Sequence, residues 1–348
     1  MRLLFTLPRF HTNMWFAVRQ MIADGHAIEL LVNSSAGSED HSALKPKVMG
    51  KYPSRAEVEK AVRQFEPDVL FIRNAWAISR RASRAGKKLG IPRVLYNQLP
   101  YNRQTTLLRR LKLAHKGLPA HRITPVAGLP NGGSGDRFGR YLPWPVGQLP
   151  HTKCAIKHPP KLRVLLVGKF NSERKNQHLL IDALEQSGVA DQIELTLVGS
   201  MPSEDHPHRT ALDKLGQKPW VTLVGNVPFL EMADVYARHD VCILPSFGEP
   251  LGTAPVEAMA YGVVPVISNE CGSAGYITHG QDGLVVDPHD MASVAQHLGR
   301  LASDRETVSA LGRGATATYE THLSEPVFSS KLTALLNDVT SGRHAAGM

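Results

Sequence analysis

Short apolar runs alternate with stretches of helical periodicity along most of this chain, and that alternation restricts it to an α/β architecture with parallel sheets. Residues 3–7, 27–32, 69–72 and 94–96 are strand-length apolar runs. Residues 14–23 between the first two carry helical spacing and end at the turn Gly25-His26. Pro67-Asp68 leads into the third run, a helical pattern follows through Lys88, and Gly90-Ile91-Pro92 precedes the fourth. Strand, helix and strand in that order require crossover connections, so the strands run parallel. The alternation resumes with runs at 162–167, 193–198, 221–224, 241–244, 263–267 and 284–286. A chain of 348 residues, 42% of them hydrophobic, exceeds one compact unit and suffices for two cores.

Between about 124 and 160 the composition turns proline-rich and includes the cluster Asn131-Gly132-Gly133-Ser134-Gly135. That cluster neither follows a clear strand nor opens a clear helix, so the region reads as loop and linker and not as a phosphate cradle. No apolar run approaches the roughly 20 residues that span a bilayer. The first run stops at Pro8 without a small-residue cleavage pattern, which reads as a buried strand and not a signal peptide. Cys154, Cys242 and Cys271 are odd in number and lack CxxC spacing, so neither a disulfide framework nor a zinc site is expected, and a reducing cytoplasm fits.

The net charge of +9 is concentrated. Residues 69–135 hold thirteen Lys and Arg and no Asp or Glu, which leaves the remainder mildly acidic. Such a field attracts an anionic partner. Within it, Leu107-Leu108-Arg109-Arg110-Leu111-Lys112-Leu113-Ala114-His115-Lys116 reads as a basic amphipathic segment, of the kind that docks on anionic bilayers. The alternative is a solvated basic face that binds a phosphorylated soluble acceptor. Nucleic acid is not expected, because the basic region lacks interleaved stacking aromatics.

The stretch from Leu244 to Gly262 is the richest in chemistry. A buried strand ends in the turn-rich Pro245-Ser246-Phe247-Gly248, and a helix begins near Thr253-Ala254-Pro255. Amides at such a helix start face the crevice beyond the strand ends, where anions bind in open α/β sheets. Glu249 lies in the loop and Glu257 in the first turns of the helix, so one carboxylate could accept from hydroxyls of a sugar and the other from those of a ribose. A solvated loop carboxylate and an exposed helix residue are the plain alternatives. In Val167-Gly168-Lys169-Phe170-Asn171-Ser172-Glu173-Arg174-Lys175-Asn176, two lysines six positions apart stand where both could reach a diphosphate.

These motifs resemble those of glycosyltransferase family 4, the group 1 glycosyl transferases of the retaining GT-B class. The family carries two glutamates separated by seven residues ahead of Ala-Met-Ala-x-Gly-x-x-Pro-Val, matched by Glu249, Glu257 and Ala258 to Val266. Its Gly-Arg followed by Lys is matched by Gly168 and Lys175, with Lys169 in place of the arginine and its planar fork. Leu197-Val198-Gly199, residues 221–227 and Asp240 to Ser246 extend the likeness, which is strong from about 163 to 288.

The resemblance implies two Rossmann-like doubly wound domains facing a cleft, with a C-terminal helix crossing back to the first. It implies an acceptor-binding domain at 1–148 plus a return helix at about 322–348, and a nucleotide-sugar domain at 149–321. Glu249, Lys175 and Lys169 would be catalytic. Gly168, Asn226, Val227, Leu251, Gly252, Thr253, Ala254 and Glu257 would join them in binding the donor, Glu249 at the sugar and Glu257 at the ribose. The implied activity is retaining transfer from a nucleotide-diphosphate sugar to an acceptor hydroxyl, in cell-surface polysaccharide, lipopolysaccharide or glycolipid synthesis. The protein would work in the cytoplasm or at the inner face of the plasma membrane, on a lipid-linked, lipopolysaccharide-like or phosphorylated acceptor.

No Asp-x-Asp occurs, so no carboxylate pair is expected to hold a metal on the donor phosphates, and no cofactor is expected. His206 and His208 beside Glu204 and Asp205 occupy a polar loop and do not read as a metal site. The acceptor side departs from the family. The usual histidine is absent where the strand ends at Asn97-Gln98, and the Gly-Gly of the first loop is replaced around His11-Thr12-Asn13. His11, Thr12, Asn13, Asn97 and Gln98 are the candidates there, with helix capping by Thr12 or Asn13 as the plain alternative. A nucleotide-sugar epimerase or a non-catalytic sugar-nucleotide binder is the rival activity.

Overall fold

The computed structural model describes residues 1–10, 13–35, 44–73, 76–128, 134–151, 160–170, 173–205 and 209–341. His11, Thr12, Gly132, Gly133, Cys154, His206 and His208 lie outside the described residues. The chain divides into two compact units, one of Met1–Val146 with Leu323–Met348 and one of Gly147–His322.

The first unit is wound as β1 (Arg2–Arg9), α1 (Asn13–Ala23), β2 (Ala27–Ser34), β3 (Lys47–Val48), α2 (Arg55–Phe65), β4 (Val69–Arg73), α3 (Ala77–Lys88), β5 (Arg93–Tyr96), α4 (Leu107–His115), β6 (Arg122–Thr124) and β7 (Gly139–Tyr141). Its strands form one parallel sheet in the order β3-β2-β1-β4-β5-β6-β7. Because β1 lies between β2 and β4, the winding reverses at that point. Helices α2 and α3 cover one face, packing Val58, Ala61, Val62, Ile78 and Ala82 on Leu4, Leu70 and Leu95. Ser54 caps α2 in a reciprocal box with Glu57, which fixes where that helix begins.

One strand segment, paired with another that ends at its border, corrects the reading of residues 124–160 as loop throughout. Gly139–Tyr141 pairs with Arg122–Thr124 at the sheet edge, with Arg122 opposite Gly139. Three residues with glycine and arginine among them carry no alternation to read, and the pairing follows from a neighbouring strand and not from local pattern. Arg122 corrects the basic stretch as well, because it is turned inward. It is 2% exposed and donates to the carbonyls of Leu99, Pro100 and Arg103 at 2.9, 2.9 and 3.0 Å, and to Asp136 at 3.3 Å. Thr105 donates to the same Asp136 carboxylate.

The second unit runs β8 (Leu162–Val167), α5 (Gln177–Gln186), β9 (Ile193–Val198), α6 (Arg209–Gly216), β10 (Val221–Val224), α7 (Met232–Ala237), β11 (Val241–Leu244), α8 (Ala254–Met259), β12 (Val264–Ser268), β13 (Leu284–Val286), α9 (Met291–Ser303) and α10 (Arg305–Thr318). Its six parallel strands are ordered β10-β9-β8-β11-β12-β13. β11 is buried at every residue, as expected of a strand covered by helices on both faces. The reversal falls between β8 and β11, so the loops after these two strands open at one place. Asp240, just before β11, receives Arg163 at 2.8 Å and Arg305 at 3.1 Å, tying β8 and α10 to its start.

After α10 the chain returns to the first unit as α11 (Glu325–Thr340), which packs on α1. Arg19 of α1 grips the Glu325 carboxylate with two donors. Burial pushes the Glu325 carboxyl up, against the pull of Arg19. Phe328 sets its ring 6.0 Å from that of Trp144. Both units are therefore Rossmann-like, with the returning helix that the resemblance implies. Among the described residues no helix is long and apolar enough to cross a membrane.

Candidate functional site

The reversal between β8 and β11 places two loops side by side at the carboxyl end of the second sheet, the position where open α/β sheets take ligands. β8 ends at Val167, and the amide of Gly168 donates to Val198 at 2.8 Å. A side chain at Gly199 would bring its Cβ within 1.9 Å of the Gly168 carbonyl, so the two strand ends meet only because position 199 is glycine. The aliphatic stem of Lys175 lies over Gly168, where an added Cβ would stand 3.2 Å from it.

Lys175 closes a single 3-10 turn, Glu173–Lys175. The next residue, Asn176, is buried in the left-handed region at φ 55° and donates to the carbonyl of Pro245 at 2.7 Å. The amide of Phe247 donates to Arg174 at 3.0 Å. These two bonds fasten the loop after β8 to the loop after β11, and the charged side chains follow. Lys175 Nζ lies 2.7 Å from a carboxylate oxygen of Glu249, and the Arg174 guanidinium lies 3.4 Å from the same oxygen. Lys175 and Glu249 each retain 12% of their side-chain exposure, enough to reach solvent and too little to swing freely.

The backbone around Glu249 is held from below. Gly272 donates to the Glu249 carbonyl and Ser273 to that of Leu251, both at 2.9 Å, while the buried Ser273 hydroxyl donates to Gly252 at 2.7 Å. Gly248 and Gly252 sit at φ 51° and 76°. A Cβ at Gly252 would stand 2.9 Å from Leu244 and 3.1 Å from Glu249. The amide of Gly248 is taken by Glu270 at 2.8 Å, and the other oxygen of Glu270 meets His289 at 2.8 Å. Those bonds, the His289 one foremost, hold the Glu270 carboxyl below its usual range.

Helix α8 starts directly after this loop, with Pro255 in its first turn. Among the described residues no protein group accepts from the amides of Thr253 and Ala254. Unpaired amides at a helix start favour a negative charge. Glu257, one turn further, accepts from the Tyr236 hydroxyl at 2.7 Å. Tyr236 is wholly enclosed, stacks on Tyr261 at 5.7 Å, and its hydroxyl is pushed far up by burial and then by Glu257.

The structure thus brings Gly168, Lys175, Glu249, Leu251, Gly252, Thr253 and Ala254 together, with Glu257 behind them on α8. Lys169 stands exposed, with no partner for its ammonium among the described residues. Asn226 is exposed and Val227 half-buried in the loop after β10. Sequence reasoning missed Arg174, Asn176, Tyr236, Glu270 and Ser273. Arg174 and Asn176 flank Lys175 and could have been found there, whereas the other three have no pattern of their own. In the first unit, Asn13 opens α1 and its side chain lies outside the described residues. Asn97 is buried at the end of β5, where its side-chain oxygen takes the Leu99 amide at 3.1 Å and shapes the turn; Gln98 beside it is half-buried.

Both the paired lysine and the two glutamates fall within one recognisable segment. Residues 161–304 match the family described as Glycosyl transferases group 1. The chain is 25% identical over 255 residues to a sulfoquinovosyl transferase of Arabidopsis thaliana, covering 72% of this chain and 44% of that protein. It is 31% identical over 165 residues to a D-inositol 3-phosphate glycosyltransferase of Paenarthrobacter aurescens, covering 47% and 40%. The matched segments therefore span less than half the length of these relatives. Among solved structures, Anabaena Alr3699/HepE in complex with UDP and glucose superposes with a TM-score of 0.74 at 17% identity, over 97% of this chain and 100% of that one. The lipopolysaccharide outer core galactosyltransferase WaaB gives 0.67 at 17% identity, over 99% and 100%. At such identities the likeness shows the fold, and it is the GT-B fold of two Rossmann-like units.

Proposed function

We propose that this chain is a metal-independent, retaining glycosyltransferase of family 4 that moves a hexose or related sugar from a nucleotide-diphosphate carrier to an acceptor hydroxyl. The observation that carries the proposal is the Lys175–Glu249 pair at the carboxyl ends of β8 and β11, beside the open amides of α8. Lys175 and those amides would take the diphosphate charge, and Lys169 would add a second cation from the rim. Glu249, released from Lys175 as the phosphates arrive, would accept from the sugar hydroxyls, and Glu257 from the ribose. The UDP and glucose held by HepE support a donor of this class.

The bond from the anomeric carbon to the phosphate oxygen breaks first, leaving its electrons on the diphosphate. The acceptor oxygen then attacks from the same face through an oxocarbenium-like state, giving its proton to the departing diphosphate oxygen, and no carboxylate forms a covalent sugar ester. Cations and helix amides placed where charge develops stabilise that departure. Without Asp-x-Asp in the chain, Lys175 and the amides stand in for a divalent ion. The name of one relative, a capsular polysaccharide biosynthesis glycosyltransferase of Staphylococcus aureus, supports an acceptor in cell-surface polysaccharide synthesis.

Release of free nucleotide from UDP-, GDP-, ADP- and CMP-sugars, measured with and without candidate glycan or lipid-linked acceptors, tests this reading. Acceptor-dependent release insensitive to chelator is expected; release abolished by chelator and restored by magnesium would overturn the metal-independent mechanism. Asn97 stands where a family histidine is usual, and this favours one rival, a nucleotide-sugar epimerase or non-catalytic binder. Donor binding without any acceptor-dependent release would select that rival.

A further inference from the structure

Helix α4 buries none of its nine residues. Leu107, Leu108 and Leu111 are 67%, 62% and 60% exposed, and at helical spacing they share one side within an arc of about 100°. The opposite side is attached to the first unit. Leu113 packs against the core of Val58, Ile78 and Leu95, and the Arg110 guanidinium lies over the Phe138 ring, 4.8 Å from its centroid. Three large aliphatic side chains standing together in water are unfavourable unless something covers them.

The border of that stripe is cationic. Lys112 is exposed on α4 and Lys116 directly after it, Arg103 is exposed just before it, and the sequence holds no acid between residues 69 and 135. The helix begins where the chain leaves the carboxyl edge of the sheet after β5, with Thr106 capping the Arg109 amide. Trp76, 56% exposed, opens α3 after the adjacent strand β4, and α3 shares a core with Leu113. Apolar stripe and flanking cations therefore share the outer side of α4, and the exposed indole opens a second helix that packs on the same core.

We propose that this face docks on an anionic bilayer, with Leu107, Leu108 and Leu111 entering the acyl boundary while Lys112, Lys116 and Arg103 meet headgroup phosphates. An apolar stripe beside unopposed cations is the complement of an acidic lipid surface. A nucleic acid would leave the leucines unserved. The bilayer would be the partner on the acceptor side of the reaction proposed above, while docking itself rests on charge and exposure.

Vesicle flotation of the full chain, with phosphatidylcholine alone and with added phosphatidylglycerol, tests the proposal. The wild type should float only with the anionic vesicles. L107S/L108S/L111S should lose partitioning by at least about tenfold, and K112E/K116E by about tenfold or more. Melting temperature and stabilisation by sugar nucleotides, read on the same preparations, should not change. Leu108→Ser alone, which leaves Leu113 and its core in place, should still weaken flotation severalfold and guards against a triple variant that misfolds. Absence of lipid-dependent flotation, or a leucine variant that floats like the wild type, overturns the assignment. So does a dimer in ultracentrifugation that the triple variant abolishes while vesicles remain unbound, which would give the stripe to a second copy. Failure of every sugar nucleotide to stabilise the chain would instead sink the donor reading and leave the docking result standing.

Discussion

Two charged clusters hold loops beyond strand ends, one in each unit, and they differ in how far water reaches them. Arg122 and Asp136 in the first unit retain 2% and 1% of their side-chain exposure, and both terminal nitrogens of the arginine end on carbonyls or the carboxylate. Lys175 and Glu249 in the second retain 12% each and bond chiefly to one another. The first cluster is closed, because opening it would strand a buried charge. The second is open to exchange under the proposed function: an incoming anion would replace Glu249 on the ammonium, and hydroxyl donors would replace Lys175 on the carboxylate. Like charges thus serve as scaffold in one unit and, under the proposed function, would serve as binding site in the other, according to what else is within reach.

The largest effect should come from breaking the closed cluster. Arg122→Ala leaves Asp136 buried without its cation and should cost about 3–5 kcal/mol of unfolding free energy in denaturant titration. A loss below about 1 kcal/mol would place Arg122 among the surface cations. Lys175→Ala should act on turnover instead, lowering kcat by about 10² to 10³ with a melting temperature close to that of the wild type. Near wild-type transfer by that variant would remove the functional half of the comparison.

The contrast also marks what could be read from the sequence. Strands of both sheets were legible wherever apolar runs were long enough, as in residues 162–167 and 193–198. Residues 122–124 and 139–141 were not, since each is three residues long with an arginine among them and gains its structure from pairing. Lys175 and Glu249 were each singled out by a motif, and the structure pairs them. Their direct bond spans 74 positions and exists only because β8 and β11 are neighbours, which local pattern does not encode. Arg122 failed in the opposite sense: a lone arginine in an acid-free stretch looks solvated, and only the fold shows the carbonyls of 99–103 converging on it. Tyr236, Ser273 and Glu270 support the site from other elements and carry no spacing that a motif could capture.

Two smaller changes would sharpen the picture of the exchangeable cluster. Gly252→Ala places a side chain at φ 76° and crowds Leu244 and Glu249, so it should cost roughly 1–3 kcal/mol and lower turnover as the loop shifts. Gly225→Ala serves as its control, because a Cβ there meets only Met201 at an ordinary 3.9 Å, and it should be nearly neutral.

The smallest effect, that control aside, should come from the clamp on Gly248. Glu270 takes that amide while meeting His289, at the surface, so the arrangement contributes at most about 1 kcal/mol. Glu270→Ala should therefore raise KM for the donor by about fivefold or less and leave kcat alone. Because the carboxyl is held below its ordinary value of 4.5, the clamp is complete above that pH and is lost as pH falls through the lowered value. Donor affinity measured by calorimetry should consequently fall with acid more steeply in the wild type than in Glu270→Ala. Parallel curves for the two proteins would mean that Gly248 is placed by its own backbone and by Phe247, with Glu270 a bystander.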